Sequence, residues 1–120
     1  MEKYTRSQED FLEALLVLEE RGEPLETTKV AKLLGVSKPA VHQMGHELID
    51  KGLMTRIDYG DMSLTEKGRE VATRVYERHK VLRAYLLSLG ISPETAENDC
   101  CQIEHVISEE TFEAIKKIVG

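Results

Sequence analysis

A mainly α chain with a small β-hairpin wing is expected here, built as a winged helix-turn-helix over residues 1–64 followed by a helical domain over residues 65–120. Apolar residues recur at helical spacing through most of the sequence, as in helices that bury one face. A Gly-Val-Ser break at 35–37 joins two such segments, and the stretch around Gly60 carries two short strand-like runs instead. Those features set a helix-turn-helix ahead of a hairpin.

The first helix is "SQEDFLEALLVLEE", with Phe11, Leu12, Leu15, Leu16 and Leu18 on its apolar side and Gly22 and Pro24 ending it. "TTKVAKLLG" is a short helix stopped by Gly35. In "VSKPAVHQMGHELIDKG", Ser37 caps the helix and Pro39 falls in its first turn. Val41, Met44, Leu48 and Ile49 keep the rhythm up to Gly52, while Gly45 is costly in a helix interior and marks close packing or a bend. "LMTRIDYGDMSLT" then forms the wing. A long helix from Thr65 aligns Val71, Val75, Leu82, Leu86 and Leu89 and closes at Gly90. "SPETAENDCCQIEHVI" is the next helix, with Ala96, Cys100, Ile103 and Ile107 as its core stripe, and Ser108 caps a last one. The last three helices carry more apolar stripe than one small subunit covers, so a homodimer is expected.

With 120 residues and 41% hydrophobic content the chain has the means to fold without staples. No signal peptide and no apolar run of membrane-spanning length is apparent, so a cytoplasmic protein without a membrane partner is expected. Cys100 and Cys101 are adjacent, which disfavours a disulfide between them and points to thiols in a reducing compartment.

A formal net charge of −6, from 16 basic and 22 acidic side chains, counts against an always-on nucleic-acid binder. Local charge runs the other way: residues 27–56 hold Lys29, Lys32, Lys38, Lys51 and Arg56 against Glu47 and Asp50. The third helix also offers the groups that double-stranded DNA requires at its N-terminal turns. Ser37 and Lys38 suit phosphates, Pro39 and Ala40 suit thymine methyls, and Gln43 carries the donor and acceptor pair that reads adenine. His42 and His46, four apart, superficially match a zinc-protease helix, but Gln43 stands where that motif needs glutamate. They read as exposed histidines near phosphates, and His42 joins the DNA-facing set.

Cys101, Glu104 and His105 share one helical flank, His79 falls on the apolar stripe of the long helix, and Asp10 and Glu13 sit three apart on the first helix. Taken singly, each has a plain structural reading: a half-buried thiol beside exposed polar groups, a satisfied core histidine, a solvated acidic face. Together they supply nitrogen, sulfur and oxygen donors from three helices. An enzyme built on Cys101 or a metal-bound water would need an open pocket and a general base outside this set. Neither is visible in the sequence, so no catalytic role and no small-molecule substrate is expected.

The segments "EDFLEALLVLEE", "VAKLLGVSKPAVHQM", "LIDKGLM", "SLTEKGREVATRVYERHKVL" and "CCQIEHVIS" resemble the DtxR/MntR family of metal-dependent transcriptional repressors over nearly the whole chain. The resemblance implies a homodimer that binds palindromic operator DNA when loaded with Fe(II) or Mn(II), with Zn(II), Co(II) or Ni(II) substituting in vitro. It also implies metal ligation by Asp10, Glu13, His79, Cys101, Glu104 and His105, and a short form without an SH3-like third domain. The pattern is a hybrid. Asp10 and Glu13 resemble the manganese type, Cys101 resembles the iron type, and Arg83 replaces a glutamate of the iron type's ancillary site. Brought together, Asp10, Glu13 and Glu104 would repel until a divalent cation reversed that repulsion and fixed the winged helices at operator spacing. Mixed soft and hard donors predict an iron-leaning but tolerant site, with Cys101 tipping the choice and Cys100 packing in the core.

Overall fold

The computed structural model of the chain describes residues 3–56 and 61–120. Among these residues the order is α1 (Arg6–Glu20), α2 (Thr27–Leu34), α3 (Lys38–Asp50), β1 (Met54–Arg56), β2 (Met62–Leu64), α4 (Glu66–Ser88), α5 (Pro93–Ile103) and α6 (Glu109–Val119). The chain divides into two compact units, Met1–Thr73 and Arg74–Gly120, with α4 starting in the first and ending in the second. None of the described helices is long and apolar enough to cross a membrane.

In the N-terminal unit a reciprocal capping box starts α1. Thr5 Oγ1 accepts from the Gln8 amide at 3.1 Å, and Gln8 Oε1 accepts from the Thr5 amide at 3.0 Å. The periodic leucines then bury one face: Phe11, Leu12 and Leu15 are fully enclosed, with Val30 of α2 and Val41 and Leu48 of α3 equally covered. Gly35 ends α2 with φ 68°, a left-handed turn that glycine adopts without strain. Two residues later the Ser37 hydroxyl caps α3 by accepting from the Ala40 amide at 3.2 Å. That short turn is what holds α2 and α3 as a helix-turn-helix.

The wing follows as an antiparallel pair with Met54 opposite Leu64, Thr55 opposite Ser63 and Arg56 opposite Met62. Alternation turns Met54, Met62 and Leu64 inward and leaves Thr55 and Ser63 exposed. The turn expected around Gly60 lies outside the described residues. Behind the wing, the start of α4 is fastened to the end of α3. Thr65 Oγ1 donates to the Gly52 carbonyl at 2.7 Å and accepts from the Gly68 amide at 3.0 Å, while the Thr65 amide donates to the Leu53 carbonyl at 3.2 Å.

The C-terminal unit packs Val75 and Leu82 of α4, Ala96 and Cys100 of α5 and Phe112 of α6 out of solvent. Ser92 and Ser108 cap α5 and α6 by accepting from the Thr95 and Thr111 amides at 3.3 Å and 3.1 Å. Arg78 ties the segment between them to α4: its guanidinium donates to the carbonyls of Glu104 and Ile107 at 3.3 Å and 3.0 Å and to Glu109 Oε2 at 2.8 Å. The expected helix through Ile107 is shorter in fact, because α5 ends at Ile103 and a turn follows. The expected stripe also reaches the surface, where Leu89 is 59%, Val106 81% and Ile118 71% exposed.

Candidate metal centre

The centre of the C-terminal unit is the imidazole of His79, carried inward on α4 and facing the last two turns of α5. Its Nδ1 lies 3.0 Å from Oε2 of Glu104, 3.6 Å from Sγ of Cys100 and 3.8 Å from Sγ of Cys101. On the other side of the ring, Nε2 lies 3.1 Å from Oε1 of Glu97. The second carboxylate oxygen of Glu97 accepts from Nε of Arg83 at 3.0 Å. The Cys100 sulfur is also 3.9 Å from Nε2 and so lies against the ring, while each ring nitrogen is held by a carboxylate, Glu104 on Nδ1 and Glu97 on Nε2, as outer carboxylates orient histidines at metal sites.

Glu104 is buried although it carries a charge, with 2% of its surface exposed. His105 Nε2 stands 3.3 Å from its other oxygen. Burial opposes the ionised form of Glu104, but hydrogen bonds from His105 and His79 and the attraction of both rings hold its carboxyl below the usual carboxylate range. The Cys100 thiol moves the opposite way. Burial, together with the nearby charges of Cys101, Glu97 and Glu104, pushes it up to about 12. Without a cation, Cys100 is a neutral thiol at physiological pH.

His79, Cys101, Glu104 and His105 are thus brought together as the spacing predicted, though not on one helical flank. Cys101 is on α5, whereas Glu104 closes that helix and His105 lies in the turn beyond it. Two members of the cluster were not expected. Cys100 is fully buried, consistent with its place on the core stripe, and its sulfur lies against the His79 ring, 3.6 Å from Nδ1 and 3.9 Å from Nε2. Glu97 was legible in principle, since it sits one helical turn before Cys100 and Cys101. Asp10 and Glu13 belong to the N-terminal unit, half-buried on α1, with Asp10 Oδ2 3.9 Å from Nε of Arg6.

Imidazole nitrogen, thiol sulfur and a buried carboxylate converging on one point make a donor set that suits a divalent transition-metal ion.

On the helix-turn-helix, Ser37, Lys38, Pro39, His42 and Gln43 are exposed at the start of α3 and Ala40 is half-buried. Arg56 of the wing reaches across to Nδ1 of His42 at 3.1 Å. The helix-start groups and the basic wing residue thus share one face of the unit.

A winged helix-turn-helix joined in one chain to a metal-donor cluster defines a metal-responsive transcription regulator. Residues 3–61 match the family described as iron dependent repressor, N-terminal DNA binding domain, and residues 65–120 match its metal binding and dimerisation domain. The chain belongs to this DtxR/MntR family of metal-dependent transcriptional repressors, whose members are regulators and not enzymes. It is 36% identical over 114 residues to an uncharacterised HTH-type transcriptional regulator of Methanocaldococcus jannaschii, covering 93% of this chain and 91% of that one. It is 37% identical over 109 residues to the transcriptional regulator MntR of Escherichia coli, covering 90% of this chain and 70% of the relative. The structure of the manganese regulator SloR superposes with a TM-score of 0.83 at 26% identity over 93% of this chain. The chain spans about half of that solved protein, 53% of its length.

Proposed function

We propose that this protein binds palindromic operator DNA as a homodimer when loaded with Fe(II) or Mn(II) and thereby represses metal-homeostasis genes. The observation that carries this reading is the buried Glu104 carboxylate set between the imidazoles of His79 and His105 beside the Cys101 thiol. A buried anion with converging nitrogen and sulfur donors is costly to maintain for packing alone. Asp10 and Glu13 complete the proposed ligand set on the strength of the family match and their hard oxygen chemistry. When bound, the cation supplies the positive charge that these carboxylates need in order to approach one another.

The chain's own residues divide the remaining work. Cys101 adds a soft donor that leans the site toward Fe(II), while the carboxylates keep it open to Mn(II). Ser37 and Lys38 hold phosphates, Pro39 and Ala40 meet thymine methyls, Gln43 reads a base edge, and His42 with Arg56 approaches the backbone. Leu89, Val106 and Ile118, together with Val119, supply the apolar surface for self-association.

The decisive experiment is an anaerobic titration of DNA binding against free Mn(II), Fe(II) and Zn(II), on a duplex selected from a random library by the loaded protein. Binding should rise with each metal and collapse on chelation. Equal binding with and without chelator overturns the metal dependence. Cys101→Glu should raise the response to Mn(II) relative to Fe(II), and an unchanged ratio overturns the role given to that thiol.

A further inference from the structure

We propose that Arg56 is a positioning residue for DNA recognition: it fixes His42 as a hydrogen-bond donor through Nε2, and His42 in that state donates to an acceptor of the duplex. The inference rests on the operator-binding reading and adds to it the placement of the proton on the ring. Three elements of the N-terminal unit meet at one guanidinium, since Arg56 ends β1, His42 lies on α3 and Thr27 opens α2. One terminal nitrogen of Arg56 lies 3.1 Å from Nδ1 of His42, and the other donates to Oγ1 of Thr27 at 2.5 Å.

A guanidinium carries donors and no acceptor, so this contact has a single sense. Arg56 donates, Nδ1 accepts through its lone pair, and the proton of the ring sits on Nε2. Left to itself, a neutral imidazole exchanges between two tautomers, one of which makes Nε2 an acceptor. The accepting form suits the amino groups of adenine and cytosine, whereas the donating form suits phosphate oxygens and the N7 of purines. Arg56 removes the first of these choices.

Thr27 makes that choice durable. An exposed arginine held at one end samples many rotamers, but a guanidinium engaged at both terminal nitrogens presents its donor in a fixed direction. His42 is exposed together with Lys38 and Gln43, so the donor lies on the face proposed for DNA. An arginine that only neutralised phosphate would act independently of His42. One that sets the ring is energetically coupled to it, and coupling is measurable.

Nitrogen NMR of the isotopically labelled full chain in mildly alkaline buffer, with His42 assigned from His42→Ala, should show an unprotonated, hydrogen-bonded Nδ1 and a protonated Nε2. The Nδ1 resonance should move toward that of free imidazole in Arg56→Ala and part of the way in Thr27→Val, which keeps every charge. A protonated Nδ1, or a resonance unmoved in Arg56→Ala, overturns the proposal. A double-mutant cycle on metal-loaded protein then reads the coupling. His42→Ala should weaken DNA binding roughly 2- to 10-fold, the worth of one hydrogen bond, and should cost little more once Arg56 is alanine. Equal loss on selected and random duplexes identifies a phosphate acceptor, and loss confined to the selected duplex identifies a purine edge. Additive losses in a protein that binds DNA overturn the proposal alone, whereas a loaded protein that selects no duplex overturns the operator reading and the donor role with it.

Discussion

Glu97 and His79 are joined edge to edge: the carboxylate oxygen Oε1 lies 3.1 Å from Nε2 of the ring, and Oε2 of the same group accepts from Arg83 at 3.0 Å. Arg83 thus stands at the end of a short chain of contacts that leads through Glu97 to the His79 ring. Under the proposed function, Glu97 acts as a positioning residue. Carboxylates in this role typically contribute 10–100-fold to metal affinity. Because this one is about half exposed, with 48% of its side chain in solvent, Glu97→Ala should lower Mn(II) and Co(II) affinity by about tenfold, the lower end of that range. Glu97→Gln, which still accepts from the ring nitrogen, should recover most of the loss. Isothermal titration of both variants checks this, and identical affinities in Ala and Gln variants would assign Glu97 a merely structural role.

Glu104 should behave differently, since it touches both imidazoles. Glu104→Gln keeps the side-chain volume and removes the charge, so it should exceed the roughly 10–100-fold loss of an outer carboxylate while leaving the oligomeric state unchanged. Mobility-shift assays with and without metal, alongside sedimentation, test the two halves of that statement. A normal metal response in this variant would show that the ligand set is misassigned.

Gln43 and Lys38 are both exposed in the first half of α3, yet they should fail in different ways. Gln43→Ala should cost about 1–3 kcal/mol on the selected duplex and little on random DNA. Lys38→Ala should weaken both and flatten the salt dependence by about one unit of slope. Equal losses on both duplexes for Gln43→Ala would remove its base-reading role.

Two glycines of the N-terminal unit predict opposite stabilities. A Cβ on Gly68 would stand 1.8 Å from the Leu53 carbonyl oxygen, a backbone atom that cannot step aside. Gly68→Ala should therefore destabilise by at least the ~1–3 kcal/mol of an overpacked core, and plausible repacking does not relieve it. At Gly45 the nearest atoms to an added Cβ are Met54 Cε at 3.8 Å and Phe11 Cζ at 3.9 Å, ordinary contact distances. Close packing therefore does not demand glycine there, and Gly45→Ala should stabilise by about 0.5–1 kcal/mol through helix propensity. Urea denaturation of both variants measures the two signs.

Periodicity and capping chemistry are local properties, which is why the elements were legible from the chain alone. Ser37, Ser92 and Ser108 cap the helices they were expected to cap, and Gly35 ends α2 in the conformation a glycine is suited to. The donor types were legible for the same reason: cysteine, histidine and glutamate at close spacing carry their chemistry wherever they fold. Four features were decided only in three dimensions. Helix α5 stops at Ile103, and Arg78, distant in sequence, satisfies the carbonyls of Glu104 and Ile107 in the turn that follows. Cys100 faces His79 because the packing of α5 against α4 sets which way that buried sulfur points, and stripe position alone does not. Glu97 closes on His79 through residues 18 positions away, and Gly68 is required by the approach of the Leu53 carbonyl. Each of these depends on contacts between segments far apart in the chain, which no local pattern encodes.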